Sequence, residues 1–319
     1  MNDLLVSIII PTYNNADMII EALDTVFNQT YANIEVIVVD DGSTDDTEKA
    51  LLRYISSIQG EKKIIYHKQE NSGAPSARNK GMEICKGAFV KFLDSDDGLF
   101  DEHVIAKQVD CIVSGENDIV FGNENFYFNT FTQENFIKKR GNLIDTTIPE
   151  TFFANHPITS AFMIRKDKLQ RFSWDLTLKS GQEFFLLFQF YLNKLKFGYH
   201  NDNVVNVRVH NSPHRISNQS KNKRAPNDLI LLRRMSDELN NNPDAKKLFS
   251  NSMLKKFIPL AYSAYRSGAE QQASESLKFL RANYITKGTD FDSYLILNTD
   301  KLAHFMGYAM YKLFTAIKK

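Results

Sequence analysis

The N-terminal third of the chain alternates short apolar runs with amphipathic segments, and this alternation restricts the fold more than any other feature. The apolar runs have the length of buried strands, and the segments between them carry apolar residues at helical spacing. The predicted strands are residues 4–10, 34–39, 64–67 and 88–93, and the predicted helices are residues 14–29, 45–57 and 75–85. Strands that alternate with helices in this way form a parallel sheet joined by right-handed crossovers.

The alternation weakens beyond Phe100, and the chain becomes helical beyond Pro226. The central predictions are strands at residues 118–121, 160–164 and 204–210 and an apolar helix at residues 184–195. Helical periodicity then covers residues 229–239, 245–267, 269–283 and 301–319. We place a boundary between His214 and Asp228, around the polar, basic run of residues 217–224. The predicted organisation is an α/β domain over residues 1–215, with a mixed, mainly parallel sheet flanked by helices, and a helical C-terminal region over residues 226–319.

Composition excludes several classes of protein. Hydrophobic residues make up 43% of the 319 residues and charged residues 24%, as in an ordinary folded protein. The net charge of +1 gives no overall attraction to nucleic acid. Cys85 and Cys111 are too few for a disulfide framework, and reduced thiols in a cytoplasmic protein fit better than a single disulfide. No signal peptide pattern and no run of ~20 apolar residues occurs, so we expect a soluble protein that is at most peripheral to a membrane.

An acidic turn follows the predicted strand at residues 88–93. Asp94, Asp96 and Asp97 place three carboxylates within four residues, at the end of a strand where open α/β sheets bind their ligands. Carboxylates this close repel one another, and a hard divalent cation such as Mg²⁺ or Mn²⁺ would relieve the repulsion. The alternative is a turn that caps the next helix, because Asp is favoured in both positions.

Two further strand ends carry polar groups, in residues 11–14 and 40–45. The C-terminal ends of neighbouring parallel strands lie side by side, so these loops and the acidic turn are expected to form one crevice. A nucleotide bound there needs an apolar or aromatic wall, a carboxylate that accepts hydrogen bonds from base or ribose, and a metal ion for its diphosphate. The three loops contain each kind of group, although residues 41–43 taken alone would fit a simple turn.

The chain resembles the family 2 glycosyltransferases. Four segments carry the resemblance, in the order and spacing of that family: residues 6–14 (VSIIIPTYN), 39–45 (VDDGSTD), 71–81 (NSG and ARNKG) and 93–97 (LDSDD). The resemblance covers about residues 4–215 and implies the GT-A fold, a Rossmann-like α/β domain that binds a nucleotide-sugar.

The resemblance also implies roles for individual residues. The residues implied to bind the nucleotide-sugar are Pro11, Tyr13, Asp41, Arg78, Asp94 and Ser95. Pro11 and Tyr13 would line the nucleotide pocket, and Asp41 would accept a hydrogen bond from the base, usually uracil. Arg78 would approach the diphosphate or orient Asp94, since a guanidinium suits either oxyanion. Asp96 is implied to bind Mn²⁺ or Mg²⁺, which would neutralise the charge on the departing diphosphate.

A sugar transfer that inverts the anomeric carbon also needs a base for the acceptor hydroxyl. Members of the family often carry a Glu-Asp pair before an apolar helix, with the second acid as base. Here Glu183 occupies the position of the base, and Gln182 replaces the first acid. The alternative role for Glu183 is a carboxylate that stabilises the N-terminus of a helix.

Three features stay open on the sequence. Residues 208–215 (RVHNSPHR) resemble the family's loop that closes over the diphosphate. Within this segment His210 could bind metal or phosphate or be structural, and His214 and Arg215 are weaker candidates. Trp174 could stack on the acceptor sugar or belong to the core. Residues 301–319 form an apolar stripe with lysines near its end, which fits a peripheral membrane helix at the inner face of the cell membrane, or packing on the domain or on a second subunit.

The sequence therefore predicts a metal-dependent, inverting glycosyltransferase. Its donor would be a UDP-sugar, and its acceptor a hydroxyl of a surface polysaccharide, glycolipid or glycoprotein glycan, including a lipid-linked saccharide. A nucleotidyltransferase would share the strand-end aspartates, but it would more often have a Gly-rich, basic phosphate loop after its first strand, which residues 11–15 do not form. The other alternative is a catalytically degenerate nucleotide-binding scaffold, which Gln182 alone favours.

Overall fold

A computed structural model describes residues 4–58, 63–141, 149–211 and 221–284 of the chain. The chain divides into two compact units, residues 1–212 and residues 213–319. The first unit contains the sheet, and the described part of the second unit is helical.

The strands of the first unit are β1 (Val6–Thr12), β2 (Ile34–Asp40), β3 (Ile64–Lys68), β4 (Phe89–Phe92), β5 (Gly98–Leu99), β6 (Ile119–Phe128), β7 (Phe136–Arg140), β8 (Phe162–Arg165) and β9 (Phe197–Val209). Its helices are α1 (Ile19–Phe27), α2 (Thr47–Ser57), α3 (Ala74–Ile84), α4 (Val104–Ser114), α5 (Pro149–Asn155), α6 (Lys166–Leu169) and α7 (Gln182–Leu192). The predicted α/β class is confirmed, and the strands that alternation predicted, β1 to β4, lie close to their predicted bounds.

The sheet joins a parallel part to a mixed part. Its strand order is β3-β2-β1-β4-β8-β6-β9-β5, with β7 paired to β6. The pairs β2–β3, β1–β2 and β1–β4 are parallel, whereas β8 pairs antiparallel to both β4 and β6. Because β4 has a parallel neighbour on one side and an antiparallel neighbour on the other, the turn after β4 lies beside the start of β8.

Burial explains why the sequences of β1 and β2 are mainly apolar. Every residue of β1 is buried, and every residue of β2 after Ile34 is buried, since both faces of these strands are covered. The core on one face includes Ile8, Ile10, Val36, Val38 and Phe89 from the strands and Leu23, Val26, Val104, Ile105 and Ile112 from α1 and α4. This packing fixes the strand ends that carry the polar loops.

The described part of the second unit consists of α8 (Lys221–Asn240), α9 (Pro243–Arg266) and α10 (Glu270–Tyr284). Helix α9 packs against both of the others. Asn242 caps α9, because its side-chain oxygen accepts a hydrogen bond from the Ala245 N–H at 3.1 Å. The hydroxyls of Ser236 and Tyr284 lie 2.6 Å apart in the interior, and burial raises the pKa of Tyr284 to about 12.

Several elements differ from the sequence prediction. Strands β6 and β9 are longer than predicted, and the sequence did not predict β5 or β7. Residues 221–224 of the basic run belong to α8. The predicted helix at residues 301–319 lies outside the described residues. Among the helices that the structure describes, none combines the length and apolar character needed to cross a membrane.

Candidate functional site

Three strand ends meet at one edge of the parallel part of the sheet. In the register of β1, Thr12 pairs with Asp40 of β2, and Ile9 pairs with Phe92 of β4. The Asp41 N–H donates to the Thr12 carbonyl at 2.8 Å. The loops that follow β1, β2 and β4 are therefore neighbours, as the sequence predicted.

Asn14 and Asn15 join the three loops. The Asn14 side-chain oxygen accepts from the Thr44 N–H at 2.8 Å, and the Asn14 N–H donates to the Ser43 hydroxyl at 2.9 Å. Asn14 has a φ of 48°, in the left-handed region that asparagine tolerates better than most residues. The Asn15 side chain donates from Nδ2 to Ser95 Oγ at 2.8 Å, which connects the first loop to the acidic turn.

The predicted members of the nucleotide pocket differ in exposure. Pro11 is buried within β1, whereas Tyr13 is 40% exposed and can be reached by a base. Ser95 is 8% exposed and accepts the hydrogen bond from Asn15. Tyr13 is thus the accessible aromatic side chain of the first loop, and the Ser95 hydroxyl holds two loops together.

Asp41 lies in the crevice and holds the loop that precedes α3. Its carboxylate accepts hydrogen bonds from Gln69 Nε2 at 2.7 Å, from the Ser72 N–H at 2.9 Å and from the Gly73 N–H at 2.7 Å. A carboxylate has about four acceptor positions, so one position, on Oδ2, remains. Gly42 follows with a φ of 77°, and a Cβ there would lie 2.9 Å from the Asn71 nitrogen. Only glycine fits this turn without strain.

Arg78 and Asp94 form an ion pair between α3 and the turn after β4. Arg78 Nη2 lies 2.6 Å from Asp94 Oδ1, and the Asp94 side chain is 34% exposed while that of Arg78 is 8% exposed. The guanidinium also donates to Gln182 Oε1 at 3.3 Å and lies 4.6 Å from the centre of the Trp174 ring. Of the two roles predicted for Arg78, the structure contains the geometry in which it orients Asp94.

Asp96 and His210 meet across the site. Asp96 Oδ2 lies 3.0 Å from His210 Nε2, and the side chains are 24% and 14% exposed. Among the described residues, no set of three His, Cys, Asp or Glu side chains forms a metal centre. Mg²⁺ and Mn²⁺ are commonly bound by one or two protein groups together with substrate phosphates and water, and Mn²⁺ accepts imidazole as well as carboxylate. The pair therefore fits a divalent cation that arrives with a diphosphate.

Asp97 is a structural carboxylate that holds the turn, but it does not cap the next helix, α4, whose N-cap is His103. Asp97 is 4% exposed and accepts hydrogen bonds from the Ser160 hydroxyl at 2.7 Å and from the Arg208 N–H at 3.2 Å. The Asp94 N–H in turn donates to Ser160 Oγ at 3.0 Å. Burial raises the pKa of the Asp97 carboxyl well above its usual range, and the charges of Asp96 and Asp94 raise it further. Asp97 thus fixes the turn from inside, while Asp94 and Asp96 face outward.

Arg208 is a site residue to which the sequence analysis gave no role. Its side chain donates to the Asp96 carbonyl at 3.1 Å, to the Asn129 carbonyl, and to Glu21 Oε2 at 2.5 Å. The guanidinium carbon lies 4.3 Å from the centre of the Phe131 ring. These partners are distant in sequence, so the family-like segment at residues 208–215 did not indicate what Arg208 contacts, and no local pattern pointed to Ser160.

Glu183 lies in the first turn of α7 and is half-buried. The preceding Gly181 has a φ of 71°, which lets the chain turn sharply into the helix. The neighbouring Gln182 contacts Arg78, so the start of α7 lies at the Arg78–Asp94 pair. Trp174 is 1% exposed and packs edge-on against Phe92, so it belongs to the core and does not face an acceptor. His214 and Arg215 lie outside the described residues.

Comparison with known proteins adds family relationships to this geometry. The family model described as Glycosyl transferase family 2 matches residues 7–175. Glycosyltransferase GlyG of Streptococcus pneumoniae serotype 4 is 33% identical over 132 residues, which are 39% of this chain and 43% of GlyG. Chondroitin synthase of Escherichia coli is 30% identical over 174 residues, which are 54% of this chain and 24% of that protein. The matches thus span less than half the length of these curated relatives.

Solved structures share the fold. TarS residues 1–349 of S. aureus, in complex with UDP-GlcNAc, superpose with a TM-score of 0.69 at 18% identity, over 88% of this chain and 82% of that chain. The mannosyltransferase PcManGT of Pyrobaculum calidifontis, in complex with GDP-Man and Mn²⁺, has a TM-score of 0.58 at 16% identity, over 98% of this chain and 84% of that chain. At these identities the likeness concerns the fold, and it confirms the predicted GT-A architecture.

Proposed function

Because this chain belongs to glycosyl transferase family 2, we propose that it is a glycosyltransferase that transfers a sugar from a UDP-sugar to a hydroxyl of a glycan, with the help of a divalent cation. One observation carries the proposal. The turn after β4 presents Asp94, paired with Arg78, and Asp96, paired with His210, on a support formed by Asp97 and Ser160. This arrangement provides separate groups for a sugar and for a metal-bound diphosphate.

The proposed donor base is uracil. The Asp41 carboxylate has one acceptor position left after its three hydrogen bonds within the chain. The imide N–H of uracil needs one acceptor, whereas the Watson–Crick edge of guanine presents two neighbouring donors. Tyr13 would stack on the base, because its ring is exposed beside this loop. Structures of TarS with UDP and with UDP-GlcNAc are consistent with such a donor, although PcManGT was solved with GDP-Man.

The proposed metal ligands are Asp96 and His210. A bound Mn²⁺ or Mg²⁺ would act as a Lewis acid that neutralises the charge appearing on UDP as the glycosidic bond breaks. The chain itself contributes the rigid placement of both ligands, because Arg208 binds the Asp96 carbonyl and lies two residues before His210. Such preorganisation saves the cost of rearranging charged groups during the reaction.

Glu183 is the proposed base. It would remove the proton of the acceptor hydroxyl as that oxygen attacks the anomeric carbon from the face opposite UDP, which inverts the configuration. The acceptor we propose is a surface glycan or its lipid-linked precursor, assembled at the inner face of the membrane. The C-terminal helices would then contact the membrane or a second copy of the chain.

The first experiment measures UDP release from a panel of UDP-sugars, with MnCl₂ or with a chelator, and water or added glycan as acceptor. We expect turnover that needs the metal, and a loss of about 100-fold or more in Asp96→Asn, since the metal supplies several kcal/mol of transition-state stabilisation. Asp110→Asn, at an exposed position of α4, is the matched control and should keep the parental rate.

Other outcomes separate the alternatives. Binding of UDP by calorimetry, without release of UDP from any sugar, would support the degenerate scaffold. Release of pyrophosphate in a parallel reaction that contains UTP and a sugar 1-phosphate would indicate a nucleotidyltransferase. Equal turnover of the parent and Asp96→Asn would refute the proposed metal site.

A further inference from the structure

The guanidinium of Arg78 is buried, and among the described residues it has one carboxylate partner. Arg78 is 6% exposed, and its three neighbours are Asp94 at 2.6 Å, Gln182 at 3.3 Å and the face of the Trp174 ring at 4.6 Å. Its Nε is buried and has no hydrogen-bond partner among the described residues. A charge held this way depends on the two neutral neighbours as well as on Asp94.

Trp174 is fixed in place by groups that lie next to Arg78 and Asp94 in the chain. Asn79, the residue after Arg78, donates from Nδ2 to the Trp174 carbonyl at 2.9 Å and accepts from the Trp174 N–H at 2.8 Å. Phe92, two residues before Asp94, meets the indole edge-on with ring centres 5.1 Å apart. Trp174 is therefore held by α3 through its backbone and by β4 through its indole.

The indole nitrogen of Trp174 is buried and finds no hydrogen-bond partner in the part of the chain that the structure describes. Burying this donor is costly, and phenylalanine would fill an apolar core site without that cost. Tryptophan, however, presents the best aromatic face to a cation, and the attraction is larger when the pair is desolvated. The stacking on Arg78 gives a reason for tryptophan at this position.

Gln182 completes the setting of Arg78 without adding charge. Its amide nitrogen donates to the Leu178 carbonyl at 2.8 Å, which turns its oxygen towards Arg78. A carboxylate at this position would compete with Asp94 for the guanidinium. With a neutral amide here, Asp94 is the one carboxylate among the described residues that pairs with Arg78, and its side chain remains 34% exposed.

We propose that Trp174 and Gln182 are positioning residues for the transfer reaction, which hold the Arg78 guanidinium so that Asp94 is aimed at the donor sugar. The inference rests on the proposed function, because it assumes that Asp94 contacts the donor. Neither residue touches the donor in this account. Both act through Arg78, so their effects must depend on Arg78.

A double-mutant cycle tests this dependence. Using the UDP-sugar with the highest turnover in the screen, we expect Trp174→Leu to lower kcat/KM about 5- to 30-fold, the equivalent of a desolvated cation–π contact. Trp174→Phe, which restores an aromatic face, should recover most of this loss. In an Arg78→Lys background, Trp174→Leu should lower kcat/KM by a further factor of less than about 3, because the flat guanidinium is already absent.

Gln182→Met keeps the volume of the side chain, and it tests the same dependence on Arg78 if Trp174→Leu does not fold. It should lower kcat/KM about 3- to 10-fold in the parent and have little further effect in Arg78→Lys. Melting temperatures are measured for every variant. The inference would be overturned if Trp174→Leu or Gln182→Met lowered kcat/KM by the same factor in the parent and in Arg78→Lys. It would also be overturned if the losses of kcat/KM in Trp174→Phe and Trp174→Leu simply followed their losses of Tm. A parent that releases no UDP refutes the proposed function instead.

Discussion

Glu183 and Glu270 occupy equivalent places in their helices, in the first turns of α7 and α10. Both carboxylates lie near the positive end of a helix dipole. This interaction stabilises a helix by about 0.3–1 kcal/mol when the charged side chain is exposed. They differ in their surroundings, because Glu183 adjoins Gln182 and through it the Arg78–Asp94 pair. Comparison of the two separates a catalytic role from a helix-stabilising one.

Glu183→Gln should lower kcat about 10²- to 10⁴-fold, since the acceptor hydroxyl would lose its base. Affinity for UDP, measured by calorimetry, should stay within a few-fold of the parent because the nucleotide does not need this carboxylate. The matched variant Glu270→Gln should keep kcat and show a similar, small shift in Tm. If Glu183→Gln retains the parental kcat, Glu183 serves the helix alone.

The three carboxylates of the acidic turn have different roles, and the sequence could not distinguish them. Asp94 pairs with Arg78, Asp96 with His210, and Asp97 points inward to Ser160. All three are aspartates at a strand end, so residue type and position are the same signal for each. Only the partners, which come from distant parts of the chain, decide which carboxylate faces a ligand.

At the scale of elements, β9 connects the metal site to the rest of the domain. It carries Arg208, and His210 follows directly after its last residue. Arg208 binds the Asp96 carbonyl and the Glu21 carboxylate of α1, so one side chain links β9, the acidic turn and α1. A guanidinium can do this because its donors point in fixed, divergent directions.

Arg208→Lys keeps the charge but removes the fork of donors. We expect the MnCl₂ concentration for half-maximal UDP release to rise several-fold, and the free energy of unfolding to fall by about 1–3 kcal/mol as buried acceptors lose their partner. Arg53→Lys, at an exposed position of α2, is the control. An unchanged metal dependence together with a lower Tm would limit Arg208 to a structural role.

The local periodicity of apolar residues predicted strands that are buried on both faces and helices that bury one side. Strands β1, β2 and β4 are buried and mainly apolar, and α1 buries one side. Helix α4 also buries one side, but the sequence analysis did not predict it. The two-residue strand β5 is too short for any period, and β7 (FIKKR) has no buried face. Such strands exist because a partner strand pairs with them, which a local pattern does not record.

The same limit applies to the site. Strand-end motifs predicted that the loops of residues 11–14, 40–45 and 94–96 would lie together, since parallel strand ends share one edge. The supports are Ser160, just before β8, and Arg208, in β9. They come from the mixed part of the sheet and are separated from the acidic turn by 63 and 112 residues. Their alignment depends on the pairing of β4 with β8 and of β6 with β9, which the sequence left undetermined.

At the scale of the whole molecule, the site lies where the sheet changes from parallel to mixed pairing. The parallel part supplies the loops proposed to hold the nucleotide, and the mixed part supplies Ser160, Arg208 and His210. The stability of this junction therefore bears on activity, and a buried lysine lies within it. Lys91 of β4 is fully buried, and its amine donates to the Ser160 carbonyl at 2.9 Å.

Burial lowers the pKa of Lys91 from 10.5 to about 7, because a low-dielectric interior disfavours the ammonium form. The unfolded chain keeps the ordinary pKa and so binds more protons than the folded chain between these two values. The free energy of unfolding contributed by this group therefore rises as pH increases through that window. Below about pH 7 both states are protonated, and the full cost of burying the charge is present.

Lys91→Met should accordingly change stability in a pH-dependent way. Near pH 6 the variant should be more stable than the parent by about 1–4 kcal/mol, as for other buried charges replaced by apolar side chains. Near pH 10 the advantage should vanish or reverse, because the parent amine is then largely neutral and still binds the Ser160 carbonyl. The measurement is Tm and denaturant unfolding of both proteins across this range, taken as a difference so that the titration of all other groups cancels. Parallel curves for the two proteins would mean that Lys91 titrates in the folded chain as it does in water, and that the junction carries no pH dependence of its own.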